Sequence, residues 1–399
     1  MQKLFLISTC ILCFSISNAY SQHRKIQFIE KPWQDIVKMS KQQNKVIFLD
    51  AYASWCGPCK WMAANMFTND SIADYYNRTF ICASFDMEKG EGIDLRKKYA
   101  IRAYPSLVLI DTAGNMIHER VGAPQRVQDY IEMGRVALHP SEGLAAYMKR
   151  YEAGDNSPQF IQSYLTRLAE AYMPVDVVMK KYFSTQKESE LFNRVNWNIM
   201  YRYVYDINDP LFNFLLKHKS EFMKSYSVDS VNNKISDIFL YSLRGALQMP
   251  NAVKADSLYK AMKEKVKATG FEGADKVIFT TDLQWFHLRE KNKEFLELAA
   301  KDLDKYYAND YNMLSNISWM VSSFTTDTTY MKKALSWSKK SVSLREEPNN
   351  LNIYATLLFK MGNKSEAVEQ EKKAIAIAKE RNLSATQYEE ALKRMEDTK

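Results

Sequence analysis

Glycine and proline are scarce in this chain and unevenly placed, and this constrains the fold more than any other feature of the sequence. Only 12 Gly and 10 Pro occur among 399 residues, and a chain with so few helix-breaking residues is expected to be mostly helical. Eight of the glycines fall within the first 154 residues, and four serve the rest. The distribution predicts a turn-rich first part and a helical second part, in a chain long enough for two or three domains.

The first part alternates apolar runs with segments of helical spacing. Residues 46–49 form a continuous apolar run, as in a strand that is buried on both faces. The predicted elements are a helix at 33–43, a strand at 46–49, a helix at 59–67, a strand at 79–87, a helix at 93–99, strands at 106–111 and 116–121, and a helix at 124–137. This order predicts an α/β fold, with a mixed sheet covered by helices on both faces.

A boundary is predicted at His139-Pro140-Ser141, beyond which almost every segment has helical spacing. Residues 141–290 are predicted to be an all-helical region without assigned repeats, in a bundle or α-solenoid. Residues 291–399 carry a weak repeat that resembles two or three degenerate tetratricopeptide units. The residues behind this resemblance are one apolar helix face (Leu351, Tyr354, Ala355, Leu358), a turn glycine (Gly362) and small residues in second helices (Ala300, Ala334, Ala367, Ala374). An ordinary helical bundle with chance periodicity remains the alternative.

The N-terminus has the pattern of a secretory signal peptide, predicted at 1–19. Lys3 is followed by a short apolar run at 4–16 and by Ser17-Asn18-Ala19, with small residues where a signal peptidase cleaves. The run is shorter than the roughly 20 apolar residues of a membrane-spanning helix, and no later stretch qualifies. We therefore expect export to the periplasm or cell envelope and no integral span in the mature chain. A retained anchor or a lipoprotein is the alternative.

Charge and cysteine content argue against a nucleic-acid-binding protein and against a protein stabilised by a framework of disulfides. The formal charge is +8, but the basic runs are short and diluted by acidic residues, so no nucleic-acid partner is expected. Removal of the signal leaves Cys56, Cys59 and Cys82, which is too few for a disulfide framework in a protein of this size.

The segment from Trp55 to Lys60 carries the chemistry. Cys56 and Cys59 are separated by Gly57 and Pro58, which places two thiols one helical turn apart. At a helix N-terminus, unpaired amides and the helix dipole favour the thiolate of the first cysteine. That thiolate can attack a disulfide, and the second cysteine, expected to be more buried, can resolve the mixed disulfide.

Two other interpretations of this cysteine pair are weaker. A zinc site needs two further ligands, but the five histidines are scattered and no second cysteine pair exists in the mature chain. A purely structural disulfide that closes so small a loop would constrain little chain entropy. We therefore expect no metal and no cofactor beyond the redox-active disulfide itself.

The residues around this pair resemble the thioredoxin family over about 25–138. The segment at 46–60 reads Val-Ile-Phe-Leu-Asp-Ala-Tyr-Ala-Ser-Trp-Cys-Gly-Pro-Cys-Lys. Asp50 lies six residues before Cys56, as does the family's buried acid. Residues 101–105 (Ile-Arg-Ala-Tyr-Pro) resemble the family's cis-proline segment, and residues 121–123 (Val-Gly-Ala) resemble the loop that lines the substrate groove.

The resemblance implies a role for each site residue. Asp50, with its pKa raised by burial, would accept the proton of Cys59 through water, although an acid that caps backbone amides is the alternative. Pro105 would be cis and leave neighbouring backbone free for substrate. Gly122 would allow close approach of a substrate backbone, unless it serves only a turn. The remaining implied contacts with substrate come from Trp55, Gly57, Pro58 and Tyr104. Lys60 is as readily a solvated helix residue as a residue that tunes the thiol.

Three departures from the family pattern stand out. Cys82 lies where many thioredoxins place a lysine that faces the buried acid, and it is expected to be a buried packing residue. Tyr104 is bulkier than the family's usual residue before the cis-proline, which leaves substrate preference and redox potential open. The segment at 87–96 is longer and more charged than in minimal thioredoxins.

These features predict an envelope thiol–disulfide oxidoreductase, foremost a protein-disulfide reductase that acts through Cys56 and Cys59. Its partners would be disulfide-containing client proteins, chosen by the helical region, and a membrane electron donor. Disulfide isomerase or oxidase activity is an alternative within this class. A different class also remains open, in which the helical repeats form a peptide- or protein-binding adaptor and the first domain is mainly a docking element.

Overall fold

The computed structural model describes residues 24–381 and 383–398, and it divides after Ile199 into two compact units. The signal peptide predicted at 1–19 lies outside the described residues. The predicted domain limits at 25–138, 141–290 and 291–399 stay predictions. Among the described helices, none combines the length and the apolar character needed to cross a membrane.

The first unit begins with alternating helices and strands. In chain order these are α1 (Trp33–Gln43), β1 (Ile47–Tyr52), α2 (Gly57–Asn65), α3 (Asp70–Thr79), β2 (Ile81–Asp86), α4 (Gly92–Lys98), β3 (Ser106–Ile110), β4 (Met116–Val121) and α5 (Val127–Leu138). The predicted α/β class is confirmed. The sequence analysis missed α3. Its N-cap is Asn69, whose side chain accepts hydrogen bonds from the amides of Ser71 and Ile72.

The four strands form one mixed sheet in the order β2-β1-β3-β4. β1 pairs in parallel with β2 and antiparallel with β3, and β3 pairs antiparallel with β4. β1 therefore lies inside the sheet, and Ile47 to Ala51 are buried, which explains why this strand has no polar-apolar alternation.

Helices cover both faces of the sheet, as predicted. On one face, Trp33 of α1 and Leu95 of α4 pack with Leu49 of β1. On the other face, Met62 of α2 and Tyr76 of α3 pack with Phe48 and with α5. The alternation of side chains along β1 thus assigns Asp50, two residues after Phe48, to the face covered by α2.

Further helices complete the first unit. They are α6 (Leu144–Glu152), α7 (Pro158–Glu170) and α8 (Asp176–Phe183), with short 3-10 helices at Pro140–Glu142 and Glu188–Phe192. α9 (Arg194–Tyr203) begins in this unit and ends past its last residue, Ile199. α6 and α7 contact β4, and Arg120 of β4 lies 3.9 Å from Glu170 of α7. β4 is an edge strand of the sheet, and such strands leave backbone groups open to unwanted pairing. These helices contact that strand.

The regular elements of the second unit are all helices in its described residues. It contains α10 (Pro210–Lys217), α11 (Lys219–Tyr226), α12 (Val228–Leu247), α13 (Ala252–Ala268), α14 (Ala274–Leu288), α15 (Asn292–Tyr307), α16 (Tyr311–Phe324), α17 (Thr328–Leu344), α18 (Pro348–Lys360), α19 (Lys364–Glu380) and α20 (Thr386–Asp397). From α14 onward each helix contacts the next, and several also contact the next but one. Such nearest-neighbour stacking is typical of helical repeats.

The spacing of these helices differs from the expected repeat. Alternate helices begin at Ala274, Tyr311 and Pro348, a constant 37 residues apart, whereas the small residues of the sequence recur every 33 or 34. Ala299 is buried rather than the neighbouring Ala300, because helix rotation turns Ala299 toward the core in α15. The other small and apolar residues of the predicted pattern are buried. The tetratricopeptide assignment itself stays a prediction.

Gly362 and Gly245 give a matched test of backbone constraint in the second unit. Gly362 turns the chain between α18 and α19 with φ +85°, where an alanine is strained, whereas Gly245 lies within α12. A Cβ atom would meet nothing within 4 Å at either site, so only the backbone differs. We expect Gly362→Ala to destabilise the protein by about 1 kcal/mol.

Gly245→Ala should instead stabilise it by about 0.5–1 kcal/mol, because alanine loses less entropy in a helix than glycine does. Thermal unfolding followed by far-UV circular dichroism would show midpoint shifts of opposite sign. Equal shifts would contradict this view of the turn.

Candidate active site

Cys56 lies at the N-terminus of α2, directly after the buried strand β1. It is the N-cap residue, and its Sγ accepts a hydrogen bond from the amide of Cys59 at 3.1 Å. Pro58 occupies the first turn, where no amide donor is needed. Cys56 and Cys59 form a disulfide, with their Cα atoms 5.3 Å apart. In the reduced protein the same amide and the helix dipole would favour a thiolate at Cys56.

Two tyrosines pack against this disulfide, and Trp55 contacts one of them. Tyr52 and Tyr104 pack against Cys56 and Cys59, and the rings of Trp55 and Tyr104 meet edge to face at 6.0 Å. The two cysteines are only 3% and 6% exposed. The expectation that Cys59 would be the more buried of the pair is therefore wrong, because the aromatic residues cover Cys56 as well. Trp55 itself is 67% exposed and forms the outer wall.

Asp50 is a buried acid on the face of the sheet that α2 covers. It is 6% exposed, and its Oδ2 accepts a hydrogen bond from Ser84 Oγ at 2.8 Å, whereas its Oδ1 has no hydrogen-bond partner among the described residues. Burial raises the pKa of Asp50 to about 7, and the hydrogen bond from Ser84 lowers it in part. Cys59 and Met62 are the buried residues of α2, and Met62 packs with Phe48, so the carboxyl group faces the underside of the helix that carries Cys59.

Ser84 is a site residue that the sequence analysis missed. In the parallel register of β1 and β2, Ser84 lies directly opposite Asp50, and Cys82 lies opposite Phe48. Cys82 is buried and its burial raises the thiol pKa to about 12, which agrees with a packing role. A polar residue two positions after Cys82, and therefore on the same strand face, was the signal available in the sequence.

Pro105 and Gly122 meet through the backbone beside the site. The Tyr104–Pro105 peptide bond is cis, and the amide of Gly122 donates to the carbonyl of Pro105 at 2.8 Å. Gly122 has φ +100°, which favours glycine on conformational grounds alone. A Cβ atom there would meet no atom of the described residues within 4 Å. The space beyond Gly122 is open, as close approach of a substrate backbone requires.

The charged segment after β2 contacts the active-site loop, which sequence reasoning did not foresee. Glu88 accepts a hydrogen bond from the indole Nε1 of Trp55 at 2.8 Å, and Lys89 donates to the hydroxyl of Ser54 at 3.0 Å. The same segment ends in α4, where the guanidinium of Arg96 lies 5.8 Å from the ring of Tyr104. Trp55 and Tyr104 are thus held from outside by charged groups. Within the described part of the chain, no three His, Cys, Asp or Glu residues group as metal ligands would.

Comparisons with known proteins agree with this geometry. The family model described as Thioredoxin matches residues 25–132. A thioredoxin of Acidithiobacillus ferridurans is 35% identical over 94 residues, which make up 24% of this chain and 78% of that protein. Thioredoxin-1 of Drosophila melanogaster is 34% identical over 73 residues, or 18% of this chain, and the match spans 64% of the fly protein. A solution structure from Bacteroides thetaiotaomicron, described as a candidate disulphide-isomerase, shows 36% identity, covers 30% of this chain and 97% of its own, and has a TM-score of 0.28.

Burial of Asp50 should make stability depend on pH. The folded-state pKa of about 7 lies above the ordinary 3.8, so between about pH 4 and pH 7 the unfolded chain loses a proton that the folded chain retains. The free energy of unfolding therefore falls as pH rises through this window and is level above it. We expect Asp50→Asn to raise it by about 2–4 kcal/mol at pH 8 and to change it little at pH 4.

Thermal unfolding at pH 4, 6 and 8 would measure this difference. Asp94→Asn is the matched control, since its side chain on α4 is 87% exposed, and it should show no such trend. A pH-independent effect of Asp50→Asn would contradict the burial cost.

Proposed function

This chain belongs to the thioredoxin family, and on that premise we propose that it is a thiol–disulfide oxidoreductase, acting foremost as a protein-disulfide reductase of the cell envelope. The observation that carries the proposal is the placement of Cys56 at a helix N-terminus, with Cys59 one turn further on and the buried acid Asp50 beneath that helix. This arrangement supplies a thiolate, a resolving thiol and a proton acceptor.

The reaction proceeds from the reduced dithiol in two exchanges. The Cys56 thiolate attacks one sulfur of a client disulfide, and the other client sulfur leaves as a thiolate that takes a proton from solvent. The Cys59 thiol then gives its proton to Asp50, and its thiolate attacks Cys56 Sγ in the mixed disulfide. The Cys56–Cys59 disulfide forms and the second client thiolate is released. Two electrons have moved from the dithiol to the client.

The residues between the cysteines favour electron transfer from the dithiol to the client. A Gly-Pro pair, here Gly57 and Pro58, is typical of reducing members of the family. A reductase in an oxidising compartment needs a source of electrons, and we propose a membrane donor that exchanges disulfides with Cys56. Export is proposed from the N-terminal pattern at 1–19, which lies outside the described residues.

Client selection is proposed for the helical region, on the basis of a groove along α12. Cavities of about 460, 440 and 280 Å³ follow this helix. The first two share Asp237 and Leu240, and the last two share Arg244 and Gln248. From Asn233 to Gln248 the helix rises about 22 Å, which is the length of about six or seven extended residues.

The lining of the groove suits a polypeptide. Tyrosine rings offer apolar contact together with hydroxyl groups, and amide and charged side chains offer hydrogen bonds to an extended backbone. Tyr241 is 63% exposed at this site, and Arg244 donates to Gln284 across the groove at 3.1 Å. The groove also favours the second candidate function, an adaptor in which peptide binding is the main activity.

Trapping of mixed disulfides separates these two functions. Cys59→Ser removes the resolving thiol, so clients that Cys56 has attacked should remain covalently attached. We expect discrete protein adducts on non-reducing gels of the source cell that dithiothreitol releases. The double variant Cys56→Ser, Cys59→Ser is the control and should give none. Noncovalent capture by the helical region without any adduct would support the adaptor and defeat the enzyme.

The dithiol potential, measured by titration with glutathione, tests the direction. A potential close to that of thioredoxin, about −270 mV, supports a reductase, whereas one near −120 mV, as in strong oxidants, defeats that assignment. An intermediate potential with efficient repair of scrambled ribonuclease A would support an isomerase.

Variants of the groove test client selection. Tyr241→Ala with Arg244→Glu should raise the KM for reduction of scrambled ribonuclease A about tenfold, because an aromatic anchor and a cation are lost from the binding surface. Reduction of the small disulfide 5,5′-dithiobis(2-nitrobenzoic acid) should be unchanged, since it needs only Cys56. Lys254→Glu, an exposed charge reversal on α13, is the control. Loss of both activities, or of neither, would count against the groove.

A further inference from the structure

We propose that Ser84 is a positioning residue of the dithiol site, whose hydroxyl fixes one oxygen of Asp50 so that the other is left to receive the Cys59 proton. The proposal rests on the oxidoreductase function proposed above and deepens it. It assigns a role to a residue on β2, a strand that contributes no residue to the cysteine motif.

Strand pairing brings the two side chains together. β1 and β2 run parallel, and their register places Asp50 opposite Ser84, so both side chains project from the same face of the sheet. The Ser84 hydroxyl donates to Asp50 Oδ2 at 2.8 Å. Both residues lie on rigid strands, which restricts how far the carboxyl group can rotate away from this hydroxyl.

The two oxygens of Asp50 consequently differ. Oδ2 already accepts a hydrogen bond, whereas Oδ1 is buried without a partner in the part of the chain that the structure describes. Leaving a buried acceptor without a hydrogen bond lowers stability, but in an active site that acceptor can take part in the reaction. Oδ1 is therefore the oxygen available to a proton from the helix above.

A hydroxyl serves this purpose differently from an ammonium group. Serine stabilises the carboxylate through one directed hydrogen bond and brings no charge, so Asp50 remains basic enough to accept a proton near neutral pH. A cation in the same place would hold the carboxylate ionised but lower its basicity. In the resolving step, the Cys59 proton moves to Oδ1 while the Cys59–Cys56 bond forms and the client thiolate leaves.

Among the described residues, no other titratable neighbour of Asp50 duplicates this role. Tyr52 on β1 and Tyr130 on α5 interact with Asp50, and burial raises the pKa of both phenols, which keeps them neutral. Cys82, on the same face of β2, is a thiol with a pKa raised to about 12. Arg120, on the same face two strands away on β4, pairs with Asp129 and Glu170.

Ser84→Ala tests the proposal without relying on activity. In the oxidised protein, a ¹³C NMR titration of the Asp50 carboxyl group should give a midpoint near pH 7 in the wild type. In the variant the midpoint should lie about one pH unit higher, because the hydrogen bond that stabilises the carboxylate is lost. Ser84→Thr retains the hydroxyl and should restore the midpoint. Cys82→Ala, on the same strand face, should leave it unchanged.

The rate of resolution gives a second readout. Below about pH 6, release of a preformed mixed disulfide should be about tenfold slower in Ser84→Ala than in the wild type, and above about pH 9 the two should be equal. An unshifted midpoint, or slowing that is the same at every pH, would overturn the positioning role. If wild-type protein resolves no mixed disulfide while the Asp50 midpoint still shifts, the proposed function fails and the Ser84–Asp50 coupling stands.

Discussion

The site depends on a single constraint, the burial of β1 inside the sheet. Partners on both edges and helices on both faces fix this strand, and it carries Asp50 before it delivers the chain to Cys56. A strand held in this way cannot slip by one residue without turning Asp50 to the opposite face. The rigidity that places the carboxyl group beneath α2 therefore also places the thiol at the N-terminus of that helix.

The burial of the Asp50 carboxyl group lowers the stability of the protein, and the fold offsets this loss only in part. A carboxyl group removed from water is costly to ionise, and Asp50 receives one hydrogen bond where two oxygens need partners. A packing residue in its place would stabilise the sheet. The retained cost is intelligible if Asp50 must exchange a proton, because an acceptor that was fully hydrogen-bonded would be a weaker base. The hydrogen bond from Ser84 determines how much of the cost of ionising the buried carboxyl group is offset and how basic Asp50 remains.

The sequence was sufficient to predict the parts of the site that lie close together in the chain. The cysteine pair, its helix N-terminus and the acid on the preceding strand all follow from the segment at 46–60. The parts of the site that it did not predict depend on strand register and on tertiary contacts. Ser84 becomes the partner of Asp50 only when β1 and β2 pair. Glu88 reaches Trp55 only after the chain has turned beyond β2. α3 was missed because its ten residues include tyrosine, asparagine and threonine, which have modest helix propensity.

The enclosure of the disulfide bears on which clients the site can serve. Both cysteines are almost fully buried. Tyr104 packs against them with Arg96 over its ring, and Trp55, which donates to Glu88, meets that ring edge to face. Thiol–disulfide exchange requires the attacking sulfur to lie in line with the S–S bond of the client. A disulfide within a rigid folded client cannot readily reach a recessed sulfur in that geometry, whereas a disulfide in an extended segment can. The groove along α12 has the length and lining for an extended segment as well. Under the function proposed above, both features favour clients that are locally unfolded, and the recessed thiol would discriminate against folded ones even without the groove.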